Sequence, residues 1–235
     1  LNSEGKKLSK RDCVTSIDEF REMGYLPEAL SNYMAFLGWS PKSADREILS
    51  LEEISEIFDL SEINKAGAKF SWEKLNWINS QYIKNMESIK LIEIMRKYWD
   101  DNGWEPPSQE WANKLAILIR DSMTLLKDSI DQSKPFFLIP TIQKEGQDFL
   151  ENPESKLSLK LILNYLIEQN TIKLNKEKAK EIINEISKMH NIKKGILMKS
   201  LRVAFFGSLS GPDLIQSWEL FAESKTDRTR IERCL

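Results

Sequence analysis

The chain has 235 residues, which is enough for one large domain or two of ordinary size. Hydrophobic residues make up 41% and charged residues 30%, with few Gly and Pro, a composition typical of a globular chain and not of a disordered one. No run of about 18–20 apolar residues is present, and the N-terminal residues have no apolar core like that of a signal peptide. We therefore expect a cytoplasmic protein with no membrane partner.

The scarcity of cysteine and histidine excludes several kinds of chemistry. Cys13 and Cys234 lie near opposite ends of the chain and form neither a CxxC pair nor a disulfide framework, which favours a reducing compartment and no structural metal. His190 is the only histidine, and no GxSxG motif accompanies it, so a serine–histidine or cysteine–histidine hydrolase is disfavoured. We expect His190 to be an ordinary surface or helix-end residue.

The net charge of −2 is unevenly distributed. Residues 156–235 contain 15 Lys and Arg against 9 Asp and Glu, an excess of +6; the totals of 34 and 36 leave 19 and 27 for residues 1–155, an excess of −8. A positive surface on a helical module is typical of proteins that bind nucleic-acid phosphates. A solvated lysine-rich helix face would have the same composition, so charge alone leaves both interpretations open.

Apolar residues recur at helical spacing, and no convincing strand pattern follows residue 20, which predicts a mainly α protein. Pro27 begins one such segment, and Gly38 follows it where a C-cap is expected. Ser50 and Glu53 have the spacing of a capping box. Further helices are predicted at 72–85, 87–101, 108–131, 156–169, 176–190, 194–205, 212–223 and 225–234.

Two short segments interrupt the helical pattern. Residues 103–108 contain two prolines and are predicted to form a turn, and residues 151–155 are the strongest linker candidate because the charge balance changes there. The middle of the chain is rich in tryptophan, which favours core packing over a platform for stacking bases. The tryptophans concerned are Trp72, Trp77, Trp99, Trp104 and Trp111.

A basic string near the N-terminus contains Lys7, Ser9, Lys10 and Arg11. Alone it is a weak signal, because many solvated loops look the same. A loop with several cations can nonetheless clamp a triphosphate and offset the charge that develops on leaving pyrophosphate.

Several separate blocks place this string in a context. The string KLSKRD is followed by REMGYLPEALSNYMAFLGWSP, by FSWEKLNWINSQYI and, much later, by MKSLRVAFFGSLSGPDL. Over essentially its whole length the chain thus resembles the C-terminal half of bacterial-type glutamyl-tRNA synthetases, which are class I enzymes. KLSKR resembles the family's KMSKS-type ATP loop. Cys13 stands where family members often have glycine, which bears on the flexibility of the loop.

The resemblance implies an enzyme that activates glutamate with ATP, accompanied by Mg²⁺, and transfers it to the 3′ end of tRNA. It implies that Lys7, Ser9, Lys10 and Arg11 bind ATP, with Lys10 as the principal phosphate contact. The catalytic half with its HIGH motif would precede Leu1, so we expect no catalytic residues in this chain, no structural metal, and no activity without that half as a partner.

The resemblance also implies three parts. Residues 1–85 would hold the ATP loop and a stem-contact region, with short strands near Lys7 or Val14. Residues 86–153 and 154–235 would form two helical anticodon-binding subdomains. Helical subdomains of this kind distinguish bacterial glutamyl enzymes from glutaminyl enzymes, which use β-barrels.

Five residues are implied to contact the anticodon. Arg202 and Leu214 match an arginine and a leucine that flank the family's Gly-rich turn, and Ser208 and Ser210 are weaker candidates. An arginine can donate two hydrogen bonds to a base, and a leucine can stack on one. The alternatives are an Arg202 that extends along an apolar helix to solvent and a Leu214 that belongs to the core; function is favoured for Arg202, and both interpretations stay open for Leu214. Arg120 lies near where an arginine selects cytosine, the third anticodon base of tRNA(Glu), over the guanine of tRNA(Gln).

The implied partner is tRNA(Glu), charging of tRNA(Gln) is left open, and a monomer is expected. Two other functions remain as alternatives. A helical protein-interaction scaffold predicts no salt-dependent affinity for RNA. A generic RNA-binding module predicts phosphate-driven binding without anticodon preference.

Overall fold

A computed structural model describes residues 16–41, 46–64, 67–169 and 173–235. The mainly α prediction is confirmed: within these ranges the chain forms helices and no strand beyond one isolated bridge between Trp39 and Ile63. None of the described helices is long and apolar enough to cross a bilayer. The α-helices are α1 Ile17–Met23, α2 Pro27–Gly38, α3 Leu51–Ile57, α4 Trp72–Asn85, α5 Ser88–Asp101, α6 Gln109–Arg120, α7 Asp128–Phe137, α8 Lys144–Leu150, α9 Pro153–Glu168, α10 Lys176–His190, α11 Lys194–Phe206, α12 Leu214–Glu223 and α13 Asp227–Glu232, with a 3-10 turn at Leu60–Glu62.

The chain divides into two compact units. The N-terminal unit comprises the described residues up to Tyr98 together with Arg120–Ile130, and the C-terminal unit comprises Trp99–Ile119 and Asp131–Leu235. Helices α5, α6 and α7 each contribute residues to both units. The division into three binding regions concerns function and stays a prediction, and the short strands near Lys7 or Val14 lie outside the described residues.

Helix starts in the N-terminal unit follow the predicted capping chemistry. Pro27 occupies the first turn of α2, and Ser50 and Glu53 form a reciprocal capping box at α3. Gly38 differs from the prediction, because it is the last helical residue and Trp39 follows it as an extended C-cap. Helices α2 and α4 pack together, and Ala29 of α2 is fully buried.

The predicted helix at 108–131 is wrong, because the chain breaks between α6 and α7. Helix α6 ends at Arg120, and the carboxylate of Asp128 accepts hydrogen bonds from the N–H groups of Thr124 and Leu125, each at 2.8 Å. These bonds stabilise a turn that apolar periodicity alone does not reveal, since Leu125 continues the helical spacing.

The predicted linker at 151–155 is also wrong. Asn152 caps α9 by accepting a hydrogen bond from the N–H of Glu154 at 2.9 Å, and Pro153 is the first helical residue. Proline is favoured there because its fixed φ suits a helix start and its missing N–H is not needed. The turn predicted at 103–108 is confirmed, and α6 begins directly after it.

The core of the C-terminal unit is aromatic and encloses one arginine. Phe205 and Phe221 lie among the buried rings, and the guanidinium of Arg230 lies 4.2 Å from the centre of the Phe221 ring. Arg230 is 1% exposed and donates to the carbonyls of Phe205 at 3.0 Å and Leu138 at 3.3 Å. Burial lowers the pKa of Arg230 to about 10. This cation therefore holds α13 against the core.

Most of the tryptophans are core residues, as predicted. Trp99 and Trp111 are fully buried, and their indole N–H groups donate to Ser133 Oγ and to the carbonyl of Leu220, each at 2.9 Å. Trp77 contradicts the prediction: it is 42% exposed.

Gly207 ends α11 in a left-handed conformation with φ +73°. A Cβ added there would lie 2.2 Å from the carbonyl oxygen of Thr141, a main-chain atom that cannot move aside cheaply. We expect Gly207→Ala to lower the free energy of unfolding by about 3 kcal/mol. Urea denaturation followed by circular dichroism measures this change.

Gly195 is the matched control for this substitution. It is an exposed residue in the first turn of the same helix, and an added Cβ would meet no atom within 4 Å. Gly195→Ala should stabilise the protein by about 0.5 kcal/mol because alanine has the better helix propensity. Equal losses for the two variants would contradict the steric argument.

Candidate nucleic-acid interface

The Gly-rich turn predicted to contact RNA joins α11 to α12. It begins at Gly207 and ends at Asp213, whose side chain caps α12 by accepting from the N–H of Gln216 at 2.9 Å. Gly211 has φ +153°, and an added Cβ there would lie 2.9 Å from the ring of Phe206. Glycine is therefore required at both positions, because each combines a positive φ with a close neighbour.

Arg202 is attached directly to this turn. Its Nη1 donates to the carbonyl oxygens of Gly211 at 2.9 Å and Pro212 at 3.0 Å. The side chain is half-buried. A guanidinium carries five N–H donors, so these two bonds leave donors for a further acceptor. The structure thus holds Arg202 at the surface of the turn without neutralising its charge.

The two serines of the turn have different environments. Ser208 is 8% exposed and donates from Oγ to the carbonyl of Ser210 at 2.8 Å. Ser210 is exposed. Leu209 between them donates its N–H to the carboxylate of Glu145 at 3.3 Å. Of the two serines, Ser210 is therefore the one that a ligand reaches directly.

Leu214 is 1% exposed and begins α12 with its side chain in the core. The structure therefore brings Arg202, Ser208, Ser210 and Leu214 to one turn, as the sequence implied, and places Leu214 beneath its surface. A base can stack on this leucine only if the side chain becomes exposed.

Arg120 belongs to the N-terminal unit and is the last residue of α6. A quarter of its side chain is exposed, and its Nε lies 3.6 Å from the carboxylate of Asp121, a distance for an ion pair but not for a hydrogen bond. Within the part of the chain that the structure describes, its buried Nε has no hydrogen-bond partner. Arg120 thus has an incompletely satisfied guanidinium at the turn between α6 and α7.

Asn79, which sequence reasoning missed, supports that turn. It is 0% exposed; its Oδ1 accepts from the N–H of Leu26 at 2.9 Å, and its Nδ2 donates to the carbonyl of Thr124 at 2.6 Å. The available signal was an asparagine on the apolar face of α4, adjacent to Ile78 and four residues before Ile83. A polar residue at such a position needs buried partners.

Lys114 illustrates a cation that is used for packing. Its ammonium group lies 3.2 Å from Glu110, 3.1 Å from Glu219 and 2.6 Å from Glu223. The hydrogen bond to Glu223 is the main reason that the pKa of Lys114 lies above its usual value. Because three carboxylates surround it, Lys114 is not a free site for a phosphate.

His190, metal ligands and the ATP loop are the remaining features considered from the sequence. His190 is exposed at the end of α10, as predicted. Within the described ranges no three His, Cys, Asp or Glu side chains are grouped as metal ligands. The predicted ATP-binding residues Lys7, Ser9, Lys10 and Arg11 lie outside the described residues.

Comparison with known families defines the class. Residues 1–77 match the catalytic domain of class I tRNA synthetases of the glutamate and glutamine group, and residues 90–235 match the anticodon binding domain. These are the two kinds of region found in an aminoacyl-tRNA synthetase. The chain belongs to the anticodon-binding domain family, and the particular synthetases that it resembles are glutamate–tRNA ligases.

Individual relatives agree with this assignment. Glutamate–tRNA ligases of Prochlorococcus marinus strains AS9601 and MIT 9301 are each 97% identical over the whole chain, which spans 49% of each relative. A crystal structure of a glutamate tRNA ligase from Elizabethkingia meningosepticum, in complex with its amino acid, matches with TM-score 0.89 and 31% identity over 100% of this chain and 49% of that one. The glutamate-tRNA synthetase of Elizabethkingia anophelis matches with TM-score 0.83 and 31% identity over 97% and 48%. The chain thus spans about half the length of its relatives, and the resemblance to glutamyl-tRNA synthetases is confirmed.

Asn79→Ala should lower the free energy of unfolding by about 2 kcal/mol, because the buried N–H of Leu26 and carbonyl of Thr124 would lose their partner. The matched control is Asn85→Ala at the exposed end of the same helix, for which we expect a change below about 0.5 kcal/mol. Urea titration of both variants measures the free energy of unfolding and so tests the two hydrogen bonds of Asn79. Indistinguishable unfolding midpoints would show that the two buried bonds do not matter.

Proposed function

We propose that this chain is the tRNA-binding portion of a glutamate–tRNA ligase, the enzyme that activates glutamate with ATP and attaches it to tRNA(Glu). The observation that carries the proposal is the attachment of Arg202 to the carbonyls of Gly211 and Pro212. This attachment fixes a cationic, multi-donor group at a glycine-rich turn, within a region that matches anticodon-binding domains.

The chemistry of the turn suits a single-stranded base. Unpaired bases expose their hydrogen-bonding edges, and a guanidinium offers parallel donors that match two acceptors on such an edge. Ser210 supplies an exposed hydroxyl beside it, and Ser208 orients the turn through its bond to the Ser210 carbonyl. Leu214 supports the turn from the core and stacks on a base only after local opening.

The other assignments extend the proposal to the whole ligase. Lys7, Ser9, Lys10 and Arg11 would bind ATP, with Lys10 offsetting charge on the phosphates, and Mg²⁺ would accompany the nucleotide. Residues 1–85 would contact the tRNA stem, and 86–153 and 154–235 would form the anticodon-binding subdomains. The ligase would act as a cytoplasmic monomer.

Specificity at the third anticodon base is assigned to Arg120. A quarter of its side chain is exposed, and a guanidinium carries five N–H donors, so the exposed part of Arg120 offers donors to a base acceptor. An Arg120 that contacts the third anticodon base selects tRNA(Glu) over tRNA(Gln). Without such selection, the ligase also charges tRNA(Gln).

Arg202→Gln should abolish the preference for the cognate anticodon. Fluorescence anisotropy compares binding of the chain to a tRNA(Glu) transcript and to the same transcript with an altered anticodon. We expect the wild-type chain to bind the altered transcript about tenfold more weakly, and Arg202→Gln to bind both equally, because the donors to the base are lost. Arg202→Lys retains the charge but not the planar fork, so it should lose the preference as well.

Lys156→Gln is the control, since it removes an exposed positive charge from α9 and should leave the preference intact. Equal, salt-sensitive binding of both transcripts by the wild-type chain would favour the generic RNA-binding module. An absence of RNA binding would favour the protein-interaction scaffold.

Arg120→Gln tests the assignment at the third base. The transcripts compared are tRNA(Glu) and a variant with guanine in place of cytosine at that base. The wild-type chain should bind the cytosine transcript more tightly. In the variant the ratio of the two affinities should fall roughly tenfold, which corresponds to about 1.4 kcal/mol. Lys127→Gln, an exposed residue of the adjoining turn, should retain it. An unchanged preference in Arg120→Gln would refute this role.

A further inference from the structure

The segment from the end of α10 through α11 carries an unbalanced positive charge. Between Glu185 and Asp213 the sequence contains five basic residues and no acidic residue. One of the five is Arg202, and the others are four exposed lysines, which we call the basic ridge: Lys188, Lys193, Lys194 and Lys199.

The lysines of the basic ridge are exposed and take part in no ion pair among the described residues. Among the described residues, the ion pair of α10 joins Lys178 to Glu181, and no ion pair includes a ridge lysine. This distinguishes the ridge from Lys114, which three carboxylates surround. The charge of the ridge is therefore available to a partner.

Helical geometry connects the basic ridge with Arg202. Lys194, Met198 and Arg202 follow one another at intervals of four residues, and Lys199 precedes Arg202 by three, so these side chains are neighbours on the surface of α11. The eight residues from Lys194 to Arg202 correspond to about 12 Å along the helix axis. One face of α11 thus leads from the Gly-rich turn to the ridge.

The surface around Lys194 is open. Gly195 is exposed, and a Cβ at that position would have no neighbour within 4 Å. The first turn of α11 contains no acidic residue. The carboxylate that contacts the Gly-rich turn is that of Glu145, which accepts from the N–H of Leu209 at the other end of α11. A backbone can therefore approach Lys194 closely without meeting an acidic side chain of that first turn.

We propose that the basic ridge binds backbone phosphates of the RNA strand whose bases are held at the Gly-rich turn, an inference that rests on the proposed function. Charge complementarity selects this occupant, because a polynucleotide carries a negative charge at every phosphate. Lysines are flexible point charges, so the ridge fixes the position of the strand without reading its sequence. Arg202 reads a base, and the ridge orients the strand that carries it.

The test uses the full chain with Lys193→Gln and Lys194→Gln combined, and the tRNA(Glu) transcript as the probe. The double variant should bind roughly three- to tenfold more weakly at low salt, because two exposed charge contacts are lost. The slope of log affinity against log salt concentration should fall by about 0.7 to 0.9 for each lost phosphate contact. The ratio between cognate and altered anticodons should stay unchanged.

The matched control is Lys156→Gln combined with Lys160→Gln. These lysines are exposed on α9 of the same unit, and the substitutions remove the same net charge. We expect the control to retain the wild-type salt slope. A control that lowers the slope as much as the ridge variant would overturn the proposal, since binding would then depend on net charge alone.

The outcomes separate this inference from the proposed function. If the wild-type chain prefers the cognate anticodon but the ridge variant keeps the wild-type salt slope, the inference alone is overturned. The ridge would then fit an acidic protein surface as its partner. A lowered slope without anticodon preference in the wild-type chain would support the ridge and contradict anticodon reading. An absence of RNA binding by the wild-type chain would overturn both.

Discussion

The left-handed end of α11 at Gly207 is the constraint on which the candidate site depends. No side chain fits at this position, because the carbonyl of Thr141 occupies the space that a Cβ would need. The chain must therefore leave the helix here, and the turn that follows presents its carbonyls at Gly211 and Pro212 to Arg202. The close contact of α11 with Thr141 and the placement of Arg202 at the turn thus depend on one backbone conformation.

Basic residues in this protein serve two opposite purposes, and their partners distinguish them. Arg230 is buried among aromatic rings and satisfied by main-chain carbonyls, and Lys114 is surrounded by carboxylates. Arg202 is held by carbonyls but keeps donors for a ligand, and the lysines of the basic ridge have no ion pair among the described residues. The same side-chain chemistry therefore stabilises the fold in one place and, in the proposed function, offers charge to RNA in another.

Local signals in the sequence were sufficient where neighbouring residues decide the structure. The capping box at Ser50 and the helix start at Pro27 formed as predicted, since both depend on contacts within one helical turn. The break after Arg120 was missed because its cause is the side chain of Asp128, while the apolar spacing of the segment continues. Trp77 was misassigned because burial depends on which face of α4 meets its neighbours.

The sequence by itself determined the helical class, the relationship to glutamyl-tRNA synthetases and the residues around the Gly-rich turn, because these follow from periodicity and ordered motifs. Only the tertiary structure decided what each candidate is able to contact. Leu214 lies in the core, Arg202 is attached to the turn, and Asn79 bridges segments far apart in the chain. Such roles depend on contacts between residues that are distant in sequence, and no local pattern records which donor meets which acceptor.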